Sequence, residues 1–164
     1  MIAITGAAGY VGGLLAAALA RRGVAVRRLV RAPDVARGEV HFALEQPVPP
    51  GTLAGVDVLV HAAHDFGPLH EEELRRVNVD GSRRLFDAAM RDGVKRVVFI
   101  SSLAAWEGCR SAYGRVKWTL EQDLASRGGT SVRPGMVFGR ASGGLFAALE
   151  RVVRRVPLVP DFGP

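Results

Sequence analysis

What the chain has little of narrows its class before any motif is read. One cysteine, Cys109, among 164 residues excludes an internal disulfide, and with it a small fold stapled by oxidation. No apolar run approaches the roughly 20 residues that a membrane-spanning helix needs, and Met1-Ile2-Ala3-Ile4-Thr5 has no basic segment ahead of its apolar residues, as a secretory signal would. A cytoplasmic, reducing setting without membrane attachment is therefore expected. Aromatic residues make up 7% of the chain and do not interleave with the basic ones, so the net charge of +6 points to a basic surface, not to a nucleic-acid face. His61 and His64 have no third ligand at useful spacing, and no metal site is expected. Lysine is nearly missing as well: only Lys95 and Lys117 occur against an arginine background, which makes each of them a position to explain.

What is present is ordinary for one globular domain: 48% hydrophobic and 23% charged residues, with no internal repeat. The short apolar run Met1 to Ile4 leads into Thr5-Gly6-Ala7-Ala8-Gly9-Tyr10-Val11-Gly12-Gly13 and then into a helix-like run, Leu14 to Arg22. A glycine turn between a strand and a helix N-terminus is a phosphate cradle: Gly6 makes the tight turn, Gly9 admits a pyrophosphate to the backbone, and Gly12 lets the helix lie close on the sheet. Gly6, Ala8, Gly9, Tyr10, Val11 and Gly12 are accordingly candidate dinucleotide-binding residues. Arg21-Arg22-Gly23 closes the helix, and Val24 to Val30 reads as a second strand, completing a βαβ start. An acidic residue at the end of that strand suits NAD, and an arginine suits the 2′-phosphate of NADP. The chain reads Leu29-Val30-Arg31, so NADP is favoured over NAD, with Asp34 as the ribose partner if NAD is used. Further strands are expected at Val40 to Leu44, Val56 to Ala63, Lys95 to Ile100 and Thr130 to Arg133, a single helical turn at Thr52 to Ala54, and helices over His70 to Asp92 and from Ala112. The strand ending at Ala62-Ala63 would have its C-terminal edge beside the cofactor. Gln46 to Gly51 is a connector.

Tyr113 and Lys117 stand four apart in a helical segment, which puts phenol and ammonium on one face a turn apart. A cation beside a tyrosine favours phenolate and brings the phenol toward a working acid/base range, and a serine hydroxyl nearby can polarise a substrate oxygen.

The turn Thr5 to Gly12, with its G-x-x-G-x-x-G spacing, resembles that of the extended, epimerase/dehydratase-like branch of the short-chain dehydrogenase/reductase superfamily. Asn78-Val79-Asp80-Gly81-Ser82, Tyr113-Gly114-Arg115-Val116-Lys117-Trp118-Thr119-Leu120-Glu121 and Arg133-Pro134-Gly135-Met136-Val137-Phe138-Gly139 resemble further elements of that family, in the family's order. The resemblance implies a doubly wound α/β domain with a mainly parallel, Rossmann-like sheet. It implies Tyr113 as acid/base, Lys117 as its helper and a ligand of the nicotinamide ribose, Ser102 or Ser101 as the polarising hydroxyl, and Asn78 as support for a water or for Lys117. Ala62, Ala63, Pro134 and Val137 would border the cofactor. Two features depart from the family: Ala43-Leu44 lacks the acidic residue that meets adenine, and Leu103 stands where some members carry the hydroxyl.

The resemblance also implies a substrate lobe beyond the present C-terminus, so residues 1–164 are expected to be an incomplete NAD(P)-binding domain. The leading expectation is NAD(P)-dependent oxidoreduction of a small hydroxyl or carbonyl substrate, since the Ser102 to Tyr113 interval is short. Against it stand a cofactor-responsive regulatory module and an assembly subunit of a redox complex, both without efficient turnover. A homodimer through the two long helices is the expected assembly.

Overall fold

The computed structural model describes residues 1–137 and 144–155. Six strands, β1 (Ile2–Thr5), β2 (Val26–Val30), β3 (Val40–His41), β4 (Val58–His61), β5 (Arg96–Ile100) and β6 (Thr130–Val132), form one sheet in the order β3-β2-β1-β4-β5-β6. Every pairing is parallel, so each connection must cross back along the sheet. The expected Rossmann-like sheet is observed, with its reversal of strand order between β1 and β4. Helices α1 (Tyr10–Arg21), α2 (Glu71–Arg75), α3 (Gly81–Arg91) and α4 (Ala112–Ala125) make the crossovers. Residues 1–134 are one compact unit; residues from Gly135 on belong to a second, in which α5 (Gly144–Arg155) carries the one-turn ion pair Arg154–Glu150.

Alternation along the strands divides the core between the sheet's two faces. Ala3, Leu29 and Leu59 face one way, with Leu85, Ala88 and Ala89 of α3 and Leu44, Leu53 and Val56 of the connector. Phe99 continues that face toward Val116, Leu120 and Leu124 of α4. Ile4, Val30 and Val60 point the other way and meet Ala16 of α1.

Several boundaries differ from the sequence reading, each through a backbone hydrogen bond that periodicity does not reveal. β2 starts at Val26 because the Val24 N–H closes α1 on the Leu19 carbonyl (3.1 Å). β5 starts at Arg96 because Lys95 and Arg96 both donate to the Asp57 carbonyl. β3 is only two residues long, since the chain turns back at Gln46 N–H to Ala43 O. Thr52 to Ala54 forms hydrogen-bonded turns, closed on the Pro49 and Gly51 carbonyls, and not a helical turn. A 3₁₀ turn at Val35–Arg37, capped by the Asp34 carboxylate, was not foreseen. The expected helix His70 to Asp92 is interrupted by a π-helical turn, Arg76–Asp80, between α2 and α3.

Candidate functional site

The glycine turn is built almost wholly from backbone. Gly6 sits at φ +65°, a left-handed conformation that strains any residue with a Cβ, and a Cβ there would lie 2.9 Å from Ala63. At Gly12 a Cβ would stand 2.4 Å from the Gly6 carbonyl oxygen, so α1 can close on the turn only if residue 12 has no side chain. Gly9 caps α1 without any side-chain hydrogen bond, and no acidic residue occupies the first helical turn. That leaves the N-terminal N–H groups and the positive end of the helix dipole open to an anion. Ala8 and Gly9 are exposed, while Tyr10 and Val11 are half-buried at the start of α1. The residues therefore fit a dinucleotide pyrophosphate. Arg28 of β2, which the sequence reading did not single out, donates to the Ala7 carbonyl (2.9 Å) and pairs with Glu39 (3.1 Å), tying the turn to the second strand.

Thr5, the last residue of β1, organises the seam beside this turn. Its hydroxyl oxygen accepts the N–H groups of Ala62 (3.2 Å) and Ala63 (3.3 Å), which ends β4 and seats both alanines next to Gly6. With both lone pairs used, the Thr5 O–H donates to His61 Nδ1 (2.6 Å). His61 is then the Nε2–H tautomer and donates to Ser82 of α3 (2.8 Å). The ring is fully buried, stacks on Phe99 and meets Phe86 edge-on. Burial, with the Lys117 charge second, brings its pKa down to about 3, so it is a neutral structural bridge.

Tyr113 and Lys117 lie on one face of α4, as their spacing requires. Ser111 caps this helix by accepting the Gly114 N–H (3.0 Å), and Gly114 lets it close on the preceding loop: a Cβ would stand 2.3 Å from the Ala104 carbonyl. Lys117 is buried, donates to the Ile100 carbonyl at the end of β5 (2.8 Å) and lies 4.5 Å over the Phe99 ring. Burial pulls its ammonium down to about 8, with Glu121 acting in the opposite direction. Its Nζ is 5.7 Å from the centre of the Tyr113 ring. Ser102 Oγ accepts the Ala104 N–H (3.2 Å) and lies near enough to the Tyr113 phenol to oppose the effect of burial on it.

Without a cofactor beside it, the half-buried phenol is pushed by burial above its ordinary pKa, and Ser102 acts in the opposite direction.

Three side chains around this pair have no site role in the sequence reading. Glu121, one turn beyond Lys117, takes a bidentate pair from Arg133 (2.8 and 2.5 Å). Burial would raise the Glu121 carboxyl, but the Arg133 pair holds it below the usual range. This pair fastens the chain just ahead of Pro134 to α4. His64 meets the Tyr113 ring edge-on (4.9 Å between centres), and Phe66 stacks on Tyr113 (5.7 Å, 21°). His64 Nε2 is buried with no hydrogen-bond partner among the described residues, and burial lowers its pKa to about 3. A histidine and a phenylalanine in a loop carry no periodic signal, so only the fold could bring them to Tyr113.

The remaining predicted positions fall as follows. Asn78, in the π turn, commits its amide elsewhere: Nδ2 donates to the carbonyls of Asp65 (2.9 Å) and Leu74 (3.0 Å), and Oδ1 accepts the Asp65 N–H (2.8 Å). It clamps the loop after β4 and makes no hydrogen bond to Lys117 among the described residues. Arg31 is exposed at the end of β2, near enough that its charge, after the Gly67 N–H, helps hold Asp65 below the usual carboxylate range. Asp34 is engaged by the Ala36 N–H and Arg37. Pro134 ends the first unit and Val137 belongs to the second; Phe138 and Gly139 lie outside the described residues. Among the described residues no cluster of three metal-ligating side chains occurs, and no helix is long and apolar enough to cross a membrane.

Known proteins share this arrangement. Ceramide reductase of Caulobacter vibrioides is 34% identical, over 98% of this chain and 53% of its own length. Cinnamoyl-CoA reductase 2 of Arabidopsis thaliana is 30% identical, over 64% of this chain and 36% of its own. Among solved structures, a short-chain dehydrogenase/reductase superfamily protein from Agrobacterium tumefaciens with bound NAD superposes with a TM-score of 0.64 at 31% identity, over 81% of this chain and 48% of that one. MoeE5 in complex with UDP-glucose and NAD superposes with a TM-score of 0.76 at 26% identity, over 93% of this chain and 60% of that one. The chain thus spans about half the length of ceramide reductase. The profile of the NAD dependent epimerase/dehydratase family matches residues 2–154, and the chain belongs to that family.

Proposed function

We propose that this chain is the cofactor-binding and proton-transferring part of a nicotinamide-dependent reductase acting on a carbonyl group. The observation that carries this reading is the shared face of α4, where Lys117, anchored on the Ile100 carbonyl, stands 5.7 Å from the centre of the Tyr113 ring. A phenol that is protonated at neutral pH can give its proton to a carbonyl oxygen. The names of the similar reductases support the same direction. When bound, the nicotinamide cofactor supplies the hydride. The chain's own part would be to pass the Tyr113 proton to the carbonyl oxygen as that oxygen gains charge. Ser102 donates to that oxygen as its charge grows, and Lys117, anchored on the Ile100 carbonyl, sets a positive charge behind the phenolate that remains. Solvent returns the proton. Gly6, Gly9 and Gly12 would hold the pyrophosphate, Ala62 and Ala63 would border it, and Arg31 would take a 2′-phosphate, which favours NADP over NAD.

The test is the pH dependence of NADPH oxidation by the intact protein with a simple ketone, alongside Tyr113→Phe. Loss of the acid should lower turnover by about 10² to 10⁴ while NADPH affinity stays within about twofold. Undiminished turnover in the variant would overturn the assignment.

A further inference from the structure

Phe66 lies against the Tyr113 ring yet remains 74% exposed, so one ring face is fixed on the phenol and the other is open. On the second loop that reaches Tyr113, Leu103 directly follows Ser102 and is 68% exposed, and the turn from Ser102 O to Ala105 N–H presents exposed Trp106 shortly after it. His64, neutral over the working pH range, adds a third ring, edge-on to both Phe66 and Tyr113. Large apolar side chains left in water beside a reactive phenol are costly to keep unless something apolar covers them. The charges of the same two loops are poorly suited to a polyanion. Residues 62–70 carry Asp65 and neither lysine nor arginine, and residues 101–111 carry Glu107 and a single arginine, Arg110.

We infer that Phe66 and Leu103 form the substrate-facing wall of the Tyr113 site and receive an apolar, ring-bearing or aliphatic group attached to the reacting carbonyl, in preference to a nucleoside-diphosphate sugar. The inference rests on the reductase reading for the identity of the reacting group, but the wall itself is a matter of binding. Phe66 supplies an exposed flat apolar surface beside the Tyr113 ring against which a substituent of the carbonyl carbon can lie. Leu103 adds an exposed aliphatic side chain directly after Ser102.

The experiment uses the intact protein with acetophenone and UDP-glucose as probes, read by ligand-observed NMR and, separately, by NADPH oxidation. Acetophenone should bind and compete with UDP-glucose poorly or not at all. Phe66→Ala should weaken acetophenone about tenfold, seen as Kd and as KM with kcat within about twofold, while Phe66→Leu keeps most of the affinity and NADPH binding is unchanged. Leu103→Ser should weaken it by a smaller factor. Acetophenone binding that responds to Phe66→Ala without any NADPH oxidation would uphold the wall and remove the reductase reading. Turnover that depends on Tyr113 but ignores both Phe66→Ala and Leu103→Ser would do the reverse. Tighter binding of UDP-glucose than of acetophenone, or no acetophenone binding at millimolar concentration, would overturn the inference.

Discussion

At the glycine turn the working groups are backbone N–H donors, left free because no side chain caps α1 and kept close because Gly6 and Gly12 have no Cβ. At Tyr113 they are side chains from the loops after β4 and β5 and from α4, and their chemistry is set by what surrounds them. The first region works by what its sequence leaves out. In the second, the surroundings act on the titrating groups: burial raises the Tyr113 phenol and lowers the Lys117 ammonium.

The largest effect should come from giving the turn a side chain. In Gly12→Val the new Cβ would overlap the Gly6 carbonyl oxygen, whose place is fixed by the Gly9 N–H (2.8 Å). The helix start must move away from the phosphate position, and NADPH affinity should fall by at least about a hundredfold. Nicotinamide fluorescence titration measures this, with thermal melting showing how much of the loss reflects unfolding. Gly93, which ends α3 and has no neighbour within 4 Å of a Cβ, provides the contrast: Gly93→Asn should leave NADPH affinity unchanged. Equal losses in the two variants would erase the distinction between a built turn and an ordinary one.

The same contrast explains what could be read in advance. Glycine spacing after an apolar run encodes a backbone shape directly, so the turn, the first βαβ unit and the parallel sheet followed from local residues. Tyr113 and Lys117 were visible through helical spacing, and Ser102 through its place at a strand end. The upward shift of the Tyr113 phenol was not visible, because desolvation depends on which loops close over it. Phe66 and His64 come from the loop after β4, and Asn78 holds that loop through two hydrogen bonds to Asp65, thirteen residues away. The Glu121–Arg133 pair shows the same limit: each residue sat inside a recognised motif, but their pairing depends on α4 lying beside β6.

His61 joins the two regions, bonded to Thr5 behind the glycine turn and stacked on Phe99 beneath Lys117. Replacing it with alanine leaves the Thr5 and Ser82 hydroxyls short of a partner and opens a cavity under three phenylalanines. Stability should drop by about 2–4 kcal/mol in urea unfolding. The acid limb carries a second signature. In the unfolded chain the imidazole takes its proton near 6.5, whereas the folded protein resists until about 3, and His64 behaves alike. The unfolded state thus binds more protons between those values, so stability is full above pH 6.5 and is lost as pH falls toward 3. His61→Gln, which cannot titrate, should flatten part of that slope and leave the His64 share. An unchanged slope would mean that the ring is not the group refusing the proton.

The smallest effect sharpens the first region alone. Arg31 is exposed, and its guanidinium already feels Asp65, so solvent and a nearby carboxylate both dilute any contribution to a 2′-phosphate. Arg31→Ala should therefore weaken NADPH only about tenfold and leave NADH within about twofold, measured by paired fluorescence titrations at low and high salt. Added salt should narrow the NADPH difference between the parent and the variant, because a screened charge is what the substitution removes. If both cofactors weaken together, the Arg31 side chain supports the strand end and does not read the phosphate. If neither changes, the arginine is surface composition, and the preference between the two cofactors lies in the backbone of the turn.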